Sequence, residues 1–500
     1  MSSYLLIAPR ASRRYVILKQ LSLRAGSAFS LLGVFGAAFL WLLSFKVIAT
    51  WAGPEGVGLF SQFRQIVQAV TIGATFGGTN SVVQGLAERT ASEDRLQFRA
   101  TVFRYIALMG LAWVLILIVL APYLTQFLLS SKDPALVVSL RWIGLAVLFN
   151  VGATYAIAVF TGYGFYRYLA VAQIVGPLSL FLLLLGVWAL HVSPSPQLFS
   201  ISFVVCFGVT CLAGGFGVSR LPERSSQALV QVLPTAQARA FIRFAAANLC
   251  AALSATVSLL IIRSWVIDVN GLAFAGLFDA GWTLTFNYTT IFLTACSAIY
   301  LPLLTASTTA TSQKACLLKT AYLVLGTTIV ICYALVLLKA PLINLLYSVQ
   351  FYDSGDAVVV LVVAVMFRSV SWVYGAMIVA TRKSRVLLVS DLALNLFLLA
   401  TAYFAIHMCG TLRALSWAFV IPNFLYLLFV VEYACSKNKL MKRRQIWPFL
   451  FAAALPLGFL AITDQSGQQF PYAEAVKWLC MAIGFSVSAT MFWFSSKVVL

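Results

Sequence analysis

Apolar stretches long enough to cross a bilayer follow one another from Phe29 to Phe494, separated by short polar segments. Hydrocarbon offers no partner to a backbone N–H or C=O, so a spanning segment must be an α-helix or part of a closed barrel. The period-2 alternation of barrel strands is absent. Fourteen helical spans can be read, at about 29–51, 60–86, 101–128, 138–162, 168–191, 197–219, 241–267, 273–303, 318–340, 356–381, 386–407, 413–435, 446–463 and 472–495. Each is near the roughly 20 residues that a helix needs to cross the hydrocarbon core. The expected fold class is an all-α polytopic membrane protein.

The charged residues report orientation. The chain carries 34 Lys and Arg against 14 Asp and Glu, a formal net charge of +20. In a soluble protein that surplus would suggest nucleic acid. Here, with the N-terminus taken as cytoplasmic, 25 of the 34 basic residues fall in cytoplasmic segments, among them TRKSR (381–385) and KNKLMKRR (437–444). Five lie on or near the other side, and four (Lys46, Arg64, Arg263 and Arg368) lie within the membrane. This is the positive-inside pattern; it puts both termini in the cytoplasm and leaves no need for a nucleic-acid partner. The first 28 residues lack a cleavage site behind a short apolar core, so no removable signal peptide is expected. The nine cysteines are scattered through apolar segments, and His191 and His407 stand alone at helix ends. Neither set has the spacing of a disulfide framework or a metal site, and no cofactor is expected.

The segments between spans are too short to house a catalytic domain, which argues against an enzyme. The longest, 219–241, is rich in Ser, Pro and Arg and divides the chain after six spans. Gly58-Leu59-Phe60 recurs as Gly276-Leu277-Phe278 at an offset of 218, each copy following a charged helix and a turn that ends in glycine, Gly56 and Gly271. The expected layout is a basic segment 1–28, an N-lobe 29–220, a linker 221–240, a C-lobe 241–435, and a basic loop with two further spans over 436–500. Repeated halves that rock around a central site are a recurrent transporter plan.

The chemistry concentrates in residues 46–85. GPEG (Gly53–Gly56) turns the chain between two spans, and nine residues on either side of Glu55 stand Lys46 and Arg64. Both would lie roughly 13 Å from the turn on antiparallel helices. Two like charges at one depth are costly unless an anion or water lies between them, or both snorkel to the interface. From Arg64 a stripe of Gln68, Thr71, Thr75 and Thr79 continues along one helical face. In the second half Asp279, Thr283, Asn287 and Thr290 share a face, with Arg263 at a depth close to that of Asp279. The two can form a structural pair or serve a substrate. Arg368 stands mid-helix with no acid at its depth, and Asp391, nearer the cytoplasm, has Asn395 one turn on. Asp391 reads equally as a proton or sodium site and as a cap on a local network. Four intramembrane cations against two acids suit an anionic substrate and do not suit an exporter of cations. Pro177, Pro302, Pro422 and Pro456 interrupt spans and read as static kinks before hinges.

KVIATWAGPEGVGLFSQFRQ (46–65), followed by a Gly/Thr/Asn-rich helix, resembles the start of the Wzx-type flippases of O-antigen and enterobacterial common antigen. SAIYLPLLTA (297–306), APLINLLYSVQF (340–351) and FRSVSWVYGAMIVATRKSR (367–385) extend the resemblance, which runs from about residue 25 to 435. It implies the MOP (MATE-like) exporter fold, two six-helix lobes in a V, here with a C-terminal helix pair. It also implies a bacterial inner-membrane protein that carries an undecaprenyl-diphosphate-linked oligosaccharide from the cytoplasmic to the periplasmic leaflet by alternating access. Membrane lipids, a polysaccharide polymerase and a chain-length regulator are the partners that follow. On this resemblance Lys46, Arg64, Arg263 and Arg368 would meet the diphosphate, with Gln68, Thr71 and Thr75 beside them. Coupling to protons, sodium or the membrane potential would run through Asp279 or Asp391. In related lipid flippases arginines on helices 1, 2 and 8 line the cavity; Lys46 and Arg64 stand in comparable places, whereas helix 8 offers Asp279. An ion-coupled multidrug antiporter of the same superfamily is the alternative, and a membrane polysaccharide polymerase a more distant one.

Overall fold

Where the sequence runs apolar for a membrane's width, the chain is helical, and every regular element among the described residues is a helix. The computed structural model describes residues 10–75, 80–87, 92–221, 235–306, 309–380, 384–436, 447–463 and 473–497. Thr79, most of the 219–241 linker, the turn within TRKSR and the KNKLMKRR run lie outside them. Among the described residues, eleven helical segments are long and apolar enough to span a membrane. One of them, Ala252–Thr294, is broken at Gly271 (φ 84°, ψ 172°), so it holds two of the expected spans. Such φ/ψ values are open almost only to glycine.

The chain divides into two compact units whose borders fall inside helices. The first holds residues 1–51, 63–127 and 131–253. It contains α1 (Arg10–Trp51), most of α2 (Gly53–Ala74), α3 (Asn80–Ala87), α4 (Ser92–Val119), most of α5 (Ala121–Leu129), α6 (Pro134–Tyr163), α7 (Tyr166–Ala189) and α8 (Pro196–Ser219). α6 forms its centre, packed on α8, α4 and α3, while α1 lies along α7. Helix starts follow local chemistry: Asp133 accepts the N–H of Ala135 at 2.8 Å ahead of Pro134, and Ser195 caps α8 ahead of Pro196. α7 runs through Pro177 without ending.

The second unit holds residues 52–62, 128–130 and 254–500. Its axis is α13 (Ser354–Ala380), whose apolar window is 89% buried. Val358 to Met366 is apolar all round, the pattern of a helix enclosed by others. Around it lie most of α9 (Thr235–Trp282, from Ser254 on), α10 (Tyr288–Ala306), α11 (Ala310–Leu337), α14 (Ser384–Phe404) and α15 (Leu412–Ser436). The C-terminal pair, α16 (Trp447–Thr463) and α17 (Ala473–Lys497), docks on α11 and α13. The loop expected between the spans 318–340 and 356–381 carries a short helix, α12 (Lys339–Leu346), and a 3₁₀ turn at Val349–Phe351.

Candidate functional site

In the first unit the polar face of α2 divides in two. Arg64 is half-buried, with its guanidinium 4.8 Å from the centre of the Phe45 ring, one residue from the half-buried Lys46. Gln68 is exposed. Thr71 and Thr75 are buried and committed to protein: Asn150 of α6 donates to Thr71 Oγ1 at 3.0 Å, and Thr75 Oγ1 donates to the Thr71 carbonyl at 2.7 Å. Along the stripe the exposure therefore falls from Gln68 and half-buried Arg64 to the enclosed Thr71 and Thr75. Asn150 escaped the sequence reading because one Asn inside an apolar span has no periodic signature.

The depth count for the two cations changes as well. The helix break lies at Ala52–Gly53, where Gly53 has φ 63°, and not at Glu55. Lys46 is seven residues before Gly53 and Arg64 eleven after it. The two Cα atoms are thus staggered by about one turn, roughly 6 Å. The long Arg64 side chain closes that gap and reaches the neighbour of Lys46.

In the second unit the first three turns of α2 cross the segment after Gly271 at backbone contact. A Cβ on Gly58 would stand 2.2 Å from the Leu272 carbonyl oxygen, and one on Gly276 would stand 2.0 Å from that of Pro54. Only glycine permits so close an approach. Three residues on, Ser61 Oγ donates to one carboxylate oxygen of Asp279, whose other oxygen accepts from Arg263 Nη2. Arg263 Nη1 also donates to the Ser61 carbonyl at 3.3 Å. Arg263 and Asp279 are 3% and 1% exposed, so this ion pair is closed to solvent. The two backbone approaches and the Ser61–Asp279 bond join positions that correspond at an offset of 218, or their exchanged partners: 58 corresponds to 276, 54 to 272 and 61 to 279. The turn glycines match too, since Gly53 plus the same offset is Gly271; the sequence reading had paired Gly271 with Gly56.

Comparison with solved structures gives the architecture. An inward-facing multidrug resistance MATE family transporter of the MOP superfamily superposes with a TM-score of 0.67 at 14% identity, over 82% of this chain and 98% of that one. The lipid II flippase MurJ in an inward closed conformation also gives 0.67, at 12% identity, over 93% of this chain and 99% of that one. A MOP superfamily transporter from Pyrococcus furiosus, described as having a binding pocket of reverse polarity that suggests a different function, gives 0.62 at 13% identity over 84% and 96%. The fold is that of the MOP-superfamily transporters. No family model and no curated protein matches the sequence.

Within this MOP fold a further polar cluster joins three helices of the second unit. Tyr426 of α15 donates to Asp391 Oδ1 of α14 at 3.0 Å. Asn395 donates to the Asp391 carbonyl at 2.8 Å and to Ser254 Oγ of α9 at 3.1 Å. Arg368 of α13 is exposed, and its charge reaches both Asp391 and Tyr426. By depth along the helices alone, Arg368 has no acid level with it. The offset is about five residues, roughly 7 Å along the axis, within reach of an arginine side chain. The second-half stripe is also reshaped: Thr283–Asn287 is a π-helical turn, in which Asn287 donates to Thr283 Oγ1 at 3.2 Å and Trp282 stacks on Phe286 at 4.1 Å. π turns inside helices often mark functional positions. Among the described residues no group of three potential metal ligands converges.

Proposed function

We propose that this protein moves an undecaprenyl-diphosphate-linked oligosaccharide, of the O-antigen or enterobacterial-common-antigen repeat-unit type, from the cytoplasmic to the periplasmic leaflet of a bacterial inner membrane by alternating access. The observation that carries the reading is the half-buried pair Lys46 and Arg64 with exposed Gln68 beside them, a cationic and hydrogen-bonding patch on membrane-embedded helices. Intramembrane charge is costly and is ordinarily kept for a substrate or pathway. A diphosphate is the anion that two such groups would hold through charge-assisted hydrogen bonds. The fold supports the reading, since it is shared with a lipid II flippase. Arg263 has its charge neutralised by Asp279; on this reading Lys46, Arg64 and Arg368 are the groups assigned to the substrate and Asp391 the one assigned to ion coupling. A polymerase and a chain-length regulator would act on the delivered glycan.

The second reading is an ion-coupled small-molecule antiporter, favoured by the carboxylate of Asp391 inside the second unit. Depletion of the protein, with wild type, Arg64→Ala and Arg64→Lys restored in parallel, separates the two. Lipid-linked oligosaccharide is expected to accumulate on the cytoplasmic leaflet, and wild type to clear it while well-expressed Arg64→Ala does not. Unchanged lipid carriers together with altered drug susceptibility would establish the antiporter instead.

A further inference from the structure

A cavity of about 390 Å³ opens on the first unit between α4, α6 and α8, apart from the Lys46–Arg64 patch. Small residues create it: Gly152 and Ala156 on α6 face Gly215 on α8, where an added Cβ would find nothing within 4 Å. Phe103 and Arg99, one turn apart on α4, form the opposite wall. Tyr155 OH donates to the Arg99 backbone carbonyl at 3.0 Å, which fixes α4 against α6, and Arg99 is the charged residue of the wall. The size falls within the range of about 300–1,000 Å³ usual for small-molecule sites. The wall is otherwise apolar apart from Tyr155, and Phe103 and Gly215 at its mouth are exposed.

Its surroundings carry a surplus of positive charge. Arg95, one turn before Arg99, lies over the Tyr163 ring at 5.7 Å, and Arg220 lies over the Phe216 ring at 4.7 Å. Among the described side chains, the exposed Asp94 is the acid beside them. An apolar slot on membrane-spanning helices with a guanidinium in its wall and arginines around it complements an anionic amphiphile. The chain goes into the slot and the phosphate goes to the arginine. Basic pockets between transmembrane helices on the cytoplasmic side are known to bind anionic head groups.

We infer that this cavity is a resident site for an anionic glycerophospholipid, holding one acyl chain between α4, α6 and α8 and its phosphate at Arg99. The site is independent of the proposed transport reading, because it uses none of the residues assigned to the cargo.

The full-length protein, delipidated in detergent, would be titrated with dioleoylphosphatidylglycerol, dioleoylphosphatidylethanolamine, undecaprenyl phosphate or inorganic phosphate and read by native mass spectrometry. Wild type is expected to retain phosphatidylglycerol in preference to the zwitterionic lipid. Arg99→Gln removes the charge and leaves the backbone carbonyl that Tyr155 uses. Gly215→Leu fills the slot in a helix that leucine favours. Each is expected to weaken phosphatidylglycerol binding about tenfold, the loss of one charge-assisted contact or of the chain's place, with the lipid-free unfolding temperature unchanged. Equal retention of both phospholipids, or binding unaffected by either variant, would overturn the proposal. Competition by inorganic phosphate at equal concentration would reassign the site to a free anion, and preferential binding of undecaprenyl phosphate would reassign it to the cargo.

Discussion

Arg263 and Asp279 stand eight residues on either side of Gly271, and each neutralises a charge that the other could not carry alone among apolar helices. Removing one member of such a pair strands the remaining charge, at a cost of about 3–5 kcal/mol, whereas replacing both by apolar residues is often close to neutral. Arg263→Ala and Asp279→Ala are each expected to lower the unfolding temperature in detergent markedly, and Arg263→Leu/Asp279→Leu to recover most of the loss. Additive losses would show that the two charges act separately. This pair was legible in the sequence, because equal distances from a turn place two residues at equal depth. The same count misled for Lys46 and Arg64: the helix breaks at Gly53 while Pro54 and Glu55 already belong to the next helix. Proline is at home in the first turn of a helix, so GPEG is as much a helix start as a loop.

At the scale of the element, glycines do two different jobs around the break in α9. Gly271 turns the chain in a conformation reserved for glycine but has open space where a side chain would go. Gly276 is helical, and its missing side chain admits the backbone of Pro54. Gly271→Ala is expected to cost about 1–3 kcal/mol through backbone strain alone. Gly276→Ala must push two helices apart and is expected to cost more, with loss of transport as well; thermal unfolding and the leaflet assay on the two variants read the difference. The recurrence of Gly-Leu-Phe signalled that these segments correspond, but no sequence pattern tells that the two copies touch. The π turn at Thr283–Asn287 had no signature either, since one residue added to a helical turn leaves the composition unaltered. Asp-Pro before α6 and Ser-Pro before α8 are ordinary cap signals, and with them α6 starts four residues ahead of the expected 138.

For the whole molecule, helicity and the positions of the spans follow from the length of each apolar run, because a bilayer permits little else. Orientation rests on charge placement and has its own test. Cys409 is an exposed thiol beside Gly410, at the end of a span assigned to the outer face. In a variant retaining only this cysteine, a membrane-impermeant maleimide is expected to label intact cells. Labelling only after the membrane is opened would invert the topology. The contact through Gly58 and Gly276 has one more consequence. Residue 54 meets 276 as 58 meets 272, the self-complementary arrangement by which two identical subunits pair about a two-fold axis. In a dimer of identical chains, the residue at the 61/279 position would face its own copy, and a carboxylate there would meet a carboxylate and be repelled. With both copies in one polypeptide the two positions are free to diverge, and they hold a serine that donates and an aspartate that accepts. An unlike pair on such an axis is closed to a dimer of identical chains and open to a molecule whose two halves differ.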